Sequence, residues 1–290
     1  MSAPTVEYGY VNGIEDLSDY RSGGYHPVHI DDRLDKRYHV VYKLGHGTFS
    51  TAWLALDEET SRFVAVKVGT ADTDRTEVDI LSQLTHSRVS GYDSEDSLPL
   101  TDFGVAFRPD DKSRFESYTP LVLRPPEAFF EPTTPLTYAS DIWSLGCVIF
   151  ELLAHRSLID GFLAPQDEII TAQQVELQGL MPPEWWEKWE KRPKWYDNTG
   201  KPLTDKSEIW PWERRFEEWV QSPRNTKKMG TILEDEWDAL LKLLKRMLAW
   251  RPSERPNIRE VLEADWMTGW ALPTYRTGLK GQLTLSNEQV

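Results

Sequence analysis

The sequence predicts an α+β protein whose strands gather near the N-terminus and whose helices fill the rest. Three observations predict it. Residues 38–44 (YHVVYKL), 51–56 (TAWLAL) and 63–68 (FVAVKV) are short runs rich in β-branched and aromatic residues, parted by polar or glycine-bearing turns. Residues 138–153 (YASDIWSLGCVIFELL) are a stretch of helical length that is apolar almost all round, which places it at the centre of a domain. Residues 236–250 (EWDALLKLLKRMLAW) mix apolar and charged residues at helical spacing.

Composition narrows the class. The 290 residues suit one two-lobed unit or two small domains, and 39% hydrophobic with 12% aromatic residues supports a packed core. A formal charge of -14 repels phosphate backbones, so direct nucleic-acid binding is not expected and a basic partner is. The single cysteine, Cys147, lies inside the apolar helix, so no internal disulfide forms, as in a reducing compartment. Residues 1–10 (MSAPTVEYGY) lack the layout of a secretory leader, and the longest apolar run is too short to cross a bilayer. The expectation is a soluble chain of the cytoplasm or nucleus without membrane contact; nothing in the sequence speaks to its oligomeric state. Repeats, zinc-ligand spacing and lipidation signals are absent from it.

In chain order, residues 1–36 are polar, rich in Gly, Asp and Tyr, and read as an extended lead-in. The run 57–62 (DEETSR) is a hairpin turn between the second and third strands. Between the first two strands stand Gly45, His46, Gly47, Thr48, Phe49 and Ser50. Glycines at the first and third positions let backbone N–H groups approach a phosphate without side chains intervening. Strands on both sides exclude the strand-to-helix turn of a dinucleotide fold, and no Walker lysine follows. By itself such a hairpin is also an ordinary tight turn. Lys67, on the third strand, reads by itself as a solvated outward residue. Glu77 opens EVDILSQL, in which Val78, Ile80, Leu81 and Leu84 are spaced for a helix docked on a sheet. Glu77 is then either a partner for Lys67 or an exposed helix charge.

In the central helix, Ser140 stands where an N-cap belongs and Asp141 favours the positive end of the helix dipole. Residues 167–178 are a further helix, broken by Pro182 and Pro183. Residues 184–191 carry Trp185, Trp186 and Trp189 at helical spacing, either rings folded inward or a surface that docks a peptide. Residues 193–230 are rich in charge, proline and tryptophan, 257–266 read as a last helix, and the tail beyond Leu272 is polar and loose.

Several of these pieces, taken in order, resemble the eukaryotic protein kinases. The glycine hairpin resembles G-x-G-x-x-G-x-V, with Ser50 for the third glycine and Ala52 for the valine. Ala65-Val66-Lys67 matches V-A-I-K, and Glu77 stands for the acid of the following helix. Thr101-Asp102-Phe103-Gly104 carries D-F-G, Arg124-Pro125-Pro126-Glu127 resembles A-P-E with Pro125 for the alanine, and S-D-I-W-S-L-G-C resembles the family's central helix. Arg255 lies where the family keeps an arginine that pairs with the A-P-E glutamate. The likeness covers about residues 38–268. The lead-in GGYHPVHIDDRLDKRY followed by KLGHGTFSTAWLA is similar to the SR-protein kinases, which phosphorylate serines in Arg-Ser repeats.

The resemblance implies a bilobal fold: lead-in 1–36, a small β-rich N-lobe 37–97, a helical C-lobe 98–272 with a Trp-rich insertion at about 181–230, and a flexible tail 273–290. It implies ATP and Mg2+ as cofactors and a basic Arg/Ser-rich protein as substrate or partner. The nucleotide-contacting set it implies is Leu44, Gly45, His46, Gly47, Thr48, Phe49, Ser50, Ala52, Ala65 and Lys67. Lys67 would hold phosphates, Glu77 would orient Lys67, and Asp102 would bind the metal. Asp141 would brace the backbone of the catalytic loop, and Glu127 with Arg255 would form a buried pair.

One departure bears on function. The family's catalytic loop, H-R-D-x-x-x-x-N, supplies the acid that takes the substrate proton and the asparagine that holds the second Mg2+. Residues 85–100 (THSRVSGYDSEDSLPL) contain no such loop, and no asparagine lies between Leu44 and Asp102. Asp93 and Asp96 belong to a polar stretch and are poor candidates for the base. The interval is about 65 residues shorter than the kinase motif order requires. The fold is therefore expected to be internally truncated between the Glu77 helix and Asp102, without the hinge that reads the adenine edge and without the catalytic loop. Three readings stay open: a Ser/Thr kinase of the SR-protein type that has lost an internal segment, a pseudokinase that binds or scaffolds, and a kinase with a rebuilt base. Loss of that segment is also expected to bare much of the apolar surface of the 138–153 helix and favour aggregation or a partner.

Overall fold

The computed structural model describes residues 15–73, 75–86, 103–161, 167–203, 205 and 209–277. The chain divides into two compact units, Met1–Phe107 and Arg108–Val290. The boundary expected at 97 falls outside the described residues.

The first unit is a four-stranded antiparallel meander in the order β1 (Arg33–Leu34), β2 (Tyr38–Gly47), β3 (Ser50–Asp57) and β4 (Arg62–Gly69). Along β3 burial alternates residue by residue, the period-two signature of a sheet covered on one face. Trp53 and Val40 on the covered side pack with Val28 of the lead-in, and Leu34 and Val68 close round them. The lead-in is thus a structural layer, and its described part holds a 3-10 turn at Leu17–Asp19 and strand β1 as well as extended chain. The β3–β4 turn falls inside the expected polar run. Asp57, at its start, accepts both Arg37 nitrogens at 2.7 Å together with Thr60 Oγ1 at 2.7 Å and the Glu59 N–H at 3.1 Å. The Arg37 hydrogen bonds hold this carboxyl far below the usual carboxylate range.

Helix α1 (Thr76–His86) follows β4. Its expected apolar docking face is only partly used: Ile80 is half-buried, whereas Val78 is 52% exposed and Leu81 41%. The helix meets the sheet through charge at Glu77, described below.

The second unit is helical. Helices α2 (Glu127–Phe130), α3 (Tyr138–Leu153), α4 (Asp167–Gln178), α5 (Pro183–Lys188), α6 (Trp212–Phe216), α7 (Ser222–Thr226), α8 (Glu234–Met247) and α9 (Ile258–Leu262) follow in order, with π-helical turns after α6 and α9. Helix α3 has the range read from the sequence and its centre is buried through Ile142, Trp143, Gly146, Cys147 and Phe150. Burial pushes the Cys147 thiol up to about 12, which leaves it protonated and inert at neutral pH. Its N-cap is Thr137, whose hydroxyl accepts from the Ala139 N–H at 3.3 Å. Ser140, the expected cap, lies in the first turn and donates instead to Glu127. One flank of α3 stays open: Leu152 is 78% exposed, and Leu145, Val148 and Ile149 are half-buried.

Helix α8 packs on α3 with Trp237, Leu240, Leu243, Leu244 and Met247 inward, the stripe expected from its spacing. Acids in its first turn and Lys245 and Arg246 in its last complement the helix dipole. The approach is close at Gly146, where an added Cβ would stand 3.2 Å from Met247 Cβ. Asn257 and Glu260 form a reciprocal capping box at the start of α9.

The tryptophans of 184–191 fold inward. Trp185 is fully buried, stacked on Phe130 at 5.5 Å between centroids, and its indole N–H donates to Glu131 at 3.0 Å. Trp189 is buried in a tilted contact with Tyr196, and half-buried Trp186 meets both rings edge-on. The reading of these rings as a peptide-docking surface is therefore set aside.

Candidate functional site

The chemistry-bearing residues of the first unit gather on the open face of the sheet. Cross-strand partners share a face, and the register pairs Gly45 with Ala52, Ala52 with Lys67, and Leu54 with Ala65. Gly45, Ala52, Ala65 and Lys67 thus lie on one surface, opposite the Val28–Val40–Trp53 core. Leu44 is 52% exposed at its margin.

The segment read as a six-residue loop is a tighter object. β2 runs to Gly47 and β3 starts at Ser50, so only Thr48 and Phe49 form the turn. Neither Gly45 nor Gly47 has positive φ, and nothing lies within 4 Å of a Cβ built on either. Internal packing and backbone conformation therefore do not require glycine at these positions. The space above them is open to a ligand, as a hairpin that covers phosphates needs. At the tip, the carbonyls are occupied from within the unit: Gly47 and Thr48 accept from Tyr25 Oη, and Phe49 accepts from the Thr70 N–H at 2.9 Å and from Thr73 Oγ1 at 3.3 Å. The Thr48 N–H has no acceptor among the described residues. Sequence reasoning missed Tyr25, which was one tyrosine among several in a polar lead-in.

Lys67 Nζ stands 2.9 Å from Glu77 Oε1, and the same carboxylate oxygen accepts the Phe103 N–H at 3.1 Å. Glu77 is mostly buried at 16% side-chain exposure and Lys67 is 36% exposed, so the acid is fixed and the ammonium reaches towards solvent. The ion pair expected from the two positions is present. Asp102, Asp93 and Asp96 lie outside the described residues. Among the described residues, no cluster of three or more His, Cys, Asp or Glu is placed to hold a metal ion.

The second unit holds the structural residues. Arg255 donates to both Glu127 oxygens at 2.8 and 2.6 Å, and to the carbonyls of Ala139, Ala249 and Trp250. Its guanidinium lies 5.0 Å from the Trp143 ring centroid. The Asp141 side chain has no hydrogen-bond partner among the described residues; the residue is exposed, and partial desolvation of its carboxyl raises its pKa. A separate opening of 770 Å³ lies between residues 120–122 and 151–161, lined by Leu121, Val122, Glu151, His155, Arg156 and Asp160. None of the positions expected to contact a nucleotide is among its lining residues.

A family model described as the protein kinase domain matches residues 91–267, more than half of the chain. The chain belongs to the protein kinase family. Within that family it is similar to kinases of the SR-protein type. It is 61% identical over 54 residues to human SRSF protein kinase 3, an alignment that covers 19% of this chain and 10% of that protein. It is 59% identical over 54 residues to the serine/threonine-protein kinase spk-1 of Caenorhabditis elegans, covering 19% and 5% of the two chains. Protein kinase dsk1 of Schizosaccharomyces pombe is 37% identical over 97 residues, covering 31% and 18%. The chain thus spans only a small part of the length of the curated relatives it matches. Kinase ancestry accounts for a β-rich unit with a glycine hairpin and a helical unit built round α3. No helix among the described residues is long and apolar enough to cross a membrane.

Proposed function

We propose that this chain is a Ser/Thr protein-kinase-family domain of the SR-protein type that retains a nucleotide-holding unit and is impaired in phosphoryl transfer. The observation that carries the first half is the 2.9 Å Lys67–Glu77 ion pair on the sheet that bears the glycine hairpin. A lysine on the open face of a sheet loses little by staying solvated, yet this one is held by a mostly buried acid, which directs its charge to one place. The residues suit ATP. Ala52 and Ala65 offer a small apolar surface, Gly45 and Gly47 leave room for phosphates, and Lys67 meets their charge. Asp102 is the residue assigned to Mg2+. Bound ATP would supply the γ-phosphoryl group; the chain's own part is to bind, orient and neutralise.

The second half rests on the sequence. Between Glu77 and Asp102 there is no H-R-D-x-x-x-x-N, so no residue is assigned to take the substrate proton or hold a second metal. The missing interval would also include the hinge, which weakens nucleotide affinity. The partner proposed is a basic Arg/Ser-rich protein of the cytoplasm or nucleus, matched to a chain of charge -14. A pseudokinase that scaffolds such a protein is the second reading, and the same absence favours it.

The experiment is calorimetric titration with Mg-ATP, beside transfer of labelled phosphate to an Arg-Ser peptide. Saturable binding that Lys67→Met weakens about 10- to 100-fold, without transfer, is the expected result. Transfer that Lys67→Met abolishes would overturn the impairment, and absence of binding would overturn the nucleotide reading. Under the scaffold reading, Asp102→Asn leaves capture of the Arg-Ser peptide unchanged.

A further inference from the structure

The glycine hairpin of this chain is tied down by its own lead-in. Tyr25 is 8% exposed, and its hydroxyl donates to the Gly47 carbonyl at 2.6 Å, with a longer contact of 3.4 Å to the Thr48 carbonyl. Burial, with Asp19 and Glu15 nearby, raises the phenol pKa, so the hydroxyl remains a donor throughout the physiological range. The backbone leading into Tyr25 is anchored as well. Its N–H donates to the Asp19 carbonyl at 3.0 Å, and the Gly24 and Gly23 carbonyls accept the N–H groups of Ala71 at 3.0 Å and Asp72 at 3.1 Å. Gly24 passes so close to Asp19 that a Cβ there would stand 1.9 Å from its carbonyl oxygen. A second anchor lies further back, where the Glu15 carboxylate accepts from Tyr20 Oη and Lys43 Nζ. The lead-in therefore joins the β2–β3 tip to the turn after β4, the segment that also holds the Phe49 carbonyl.

We propose that Tyr25 is a positioning residue for the glycine hairpin, fixing the tip so that the Thr48 N–H is held ready for the phosphates of a nucleotide. A two-residue turn between strands with bulged pairing has little stiffness of its own, and β2 is irregular between Val40 and Tyr42 and between Lys43 and Gly45. With the Gly47, Thr48 and Phe49 carbonyls engaged from below, the Thr48 N–H is left for an anion above. An anchor of this kind lowers the ordering cost that a flexible phosphate loop meets on binding. The ligand side of this inference rests on the nucleotide reading above; the anchoring itself does not.

The test is Tyr25→Phe in the full chain, which removes one oxygen, with Val28→Ala as a variant that weakens the same layer elsewhere. Hydrogen exchange is read in the absence of ligand, and affinities are read for ATP and for adenosine, which lacks phosphates. In Tyr25→Phe the hairpin amides exchange faster while the rest of the sheet is unchanged, and ATP affinity falls about three- to tenfold with adenosine affinity unaltered. Unchanged hairpin exchange overturns the proposal. So does a parallel loss of both ligands with a lowered melting temperature, which is the pattern expected of Val28→Ala. If the unaltered chain binds neither ligand, the nucleotide reading fails, and hairpin exchange alone decides whether Tyr25 anchors the tip.

Discussion

Arg255 grips Glu127 through two parallel hydrogen bonds of 2.8 and 2.6 Å, although 128 residues separate them in the chain. Both side chains are almost wholly excluded from water, at 0% and 7% exposure. Three carbonyls and the Ser140 hydroxyl satisfy the valences left over. Such a pair adds little over a well-packed apolar core, but breaking it strands a buried charge. Arg255→Met is therefore expected to destabilise the helical unit by about 3–5 kcal/mol, read by urea unfolding. A loss below about 1 kcal/mol would show that water reaches Glu127.

Lys67→Met should weaken Mg-ATP binding about 10- to 100-fold, since it removes a charge-assisted phosphate contact of about 1.5–3 kcal/mol. Glu77→Gln keeps a hydrogen-bond acceptor for Lys67 and for the Phe103 N–H, so its effect should be smaller. Equal losses in the two variants would mean that Glu77 meets the ligand itself.

Trp185→Ala should cost about 3–5 kcal/mol by emptying the space between Phe130 and Trp250 and leaving Glu131 without its indole donor. The readout is the denaturation midpoint. If instead stability holds and capture of an Arg-Ser peptide is lost, the ring is a docking anchor after all.

The lead-in should loosen in acid. Burial alone would raise the pKa of Glu15, but hydrogen bonds from Lys43 and Tyr20 outweigh it and hold the group at about 2, against 4.5 for an ordinary glutamate. A folded pKa below the unfolded one stabilises fully above pH 4.5 and fades as the pH falls towards 2. Proteolysis of the lead-in should therefore accelerate across that window in the unaltered chain. Glu15→Gln, which has no charge to lose, should be susceptible already at pH 7 and show a flatter profile.

The elements legible in the sequence were those whose signal is local. The three strands, the range of α3, the range of α4 and the inward stripe of α8 follow from periodicity. Lys67, Glu77, Glu127 and Arg255 were legible because a motif fixed their order, and the two ion pairs follow. Other features depend on the side from which a neighbour arrives. Helical spacing puts Trp185, Trp186 and Trp189 together but does not say whether that face turns inward. The start of α3 offers two hydroxyls, and Ser140 is drawn to Glu127, which leaves Thr137 as the cap. Val78 and Leu81 share a stripe that suggests docking, yet it is Glu77 that ties α1 to the sheet. Tyr25 left no trace, because its partner is a main-chain carbonyl and any residue supplies one.

The tryptophans are unevenly shared between the two units. Trp53 is the only one in the β-rich unit; the others all lie beyond Phe107. Intrinsic fluorescence is thus a reporter of the helical unit, and melting of the hairpin-bearing sheet would pass nearly unseen beneath it. Replacing Trp53 with phenylalanine would make the emission blind to that sheet. Comparing such a trace with far-ultraviolet dichroism would separate the two unfolding events within one sample.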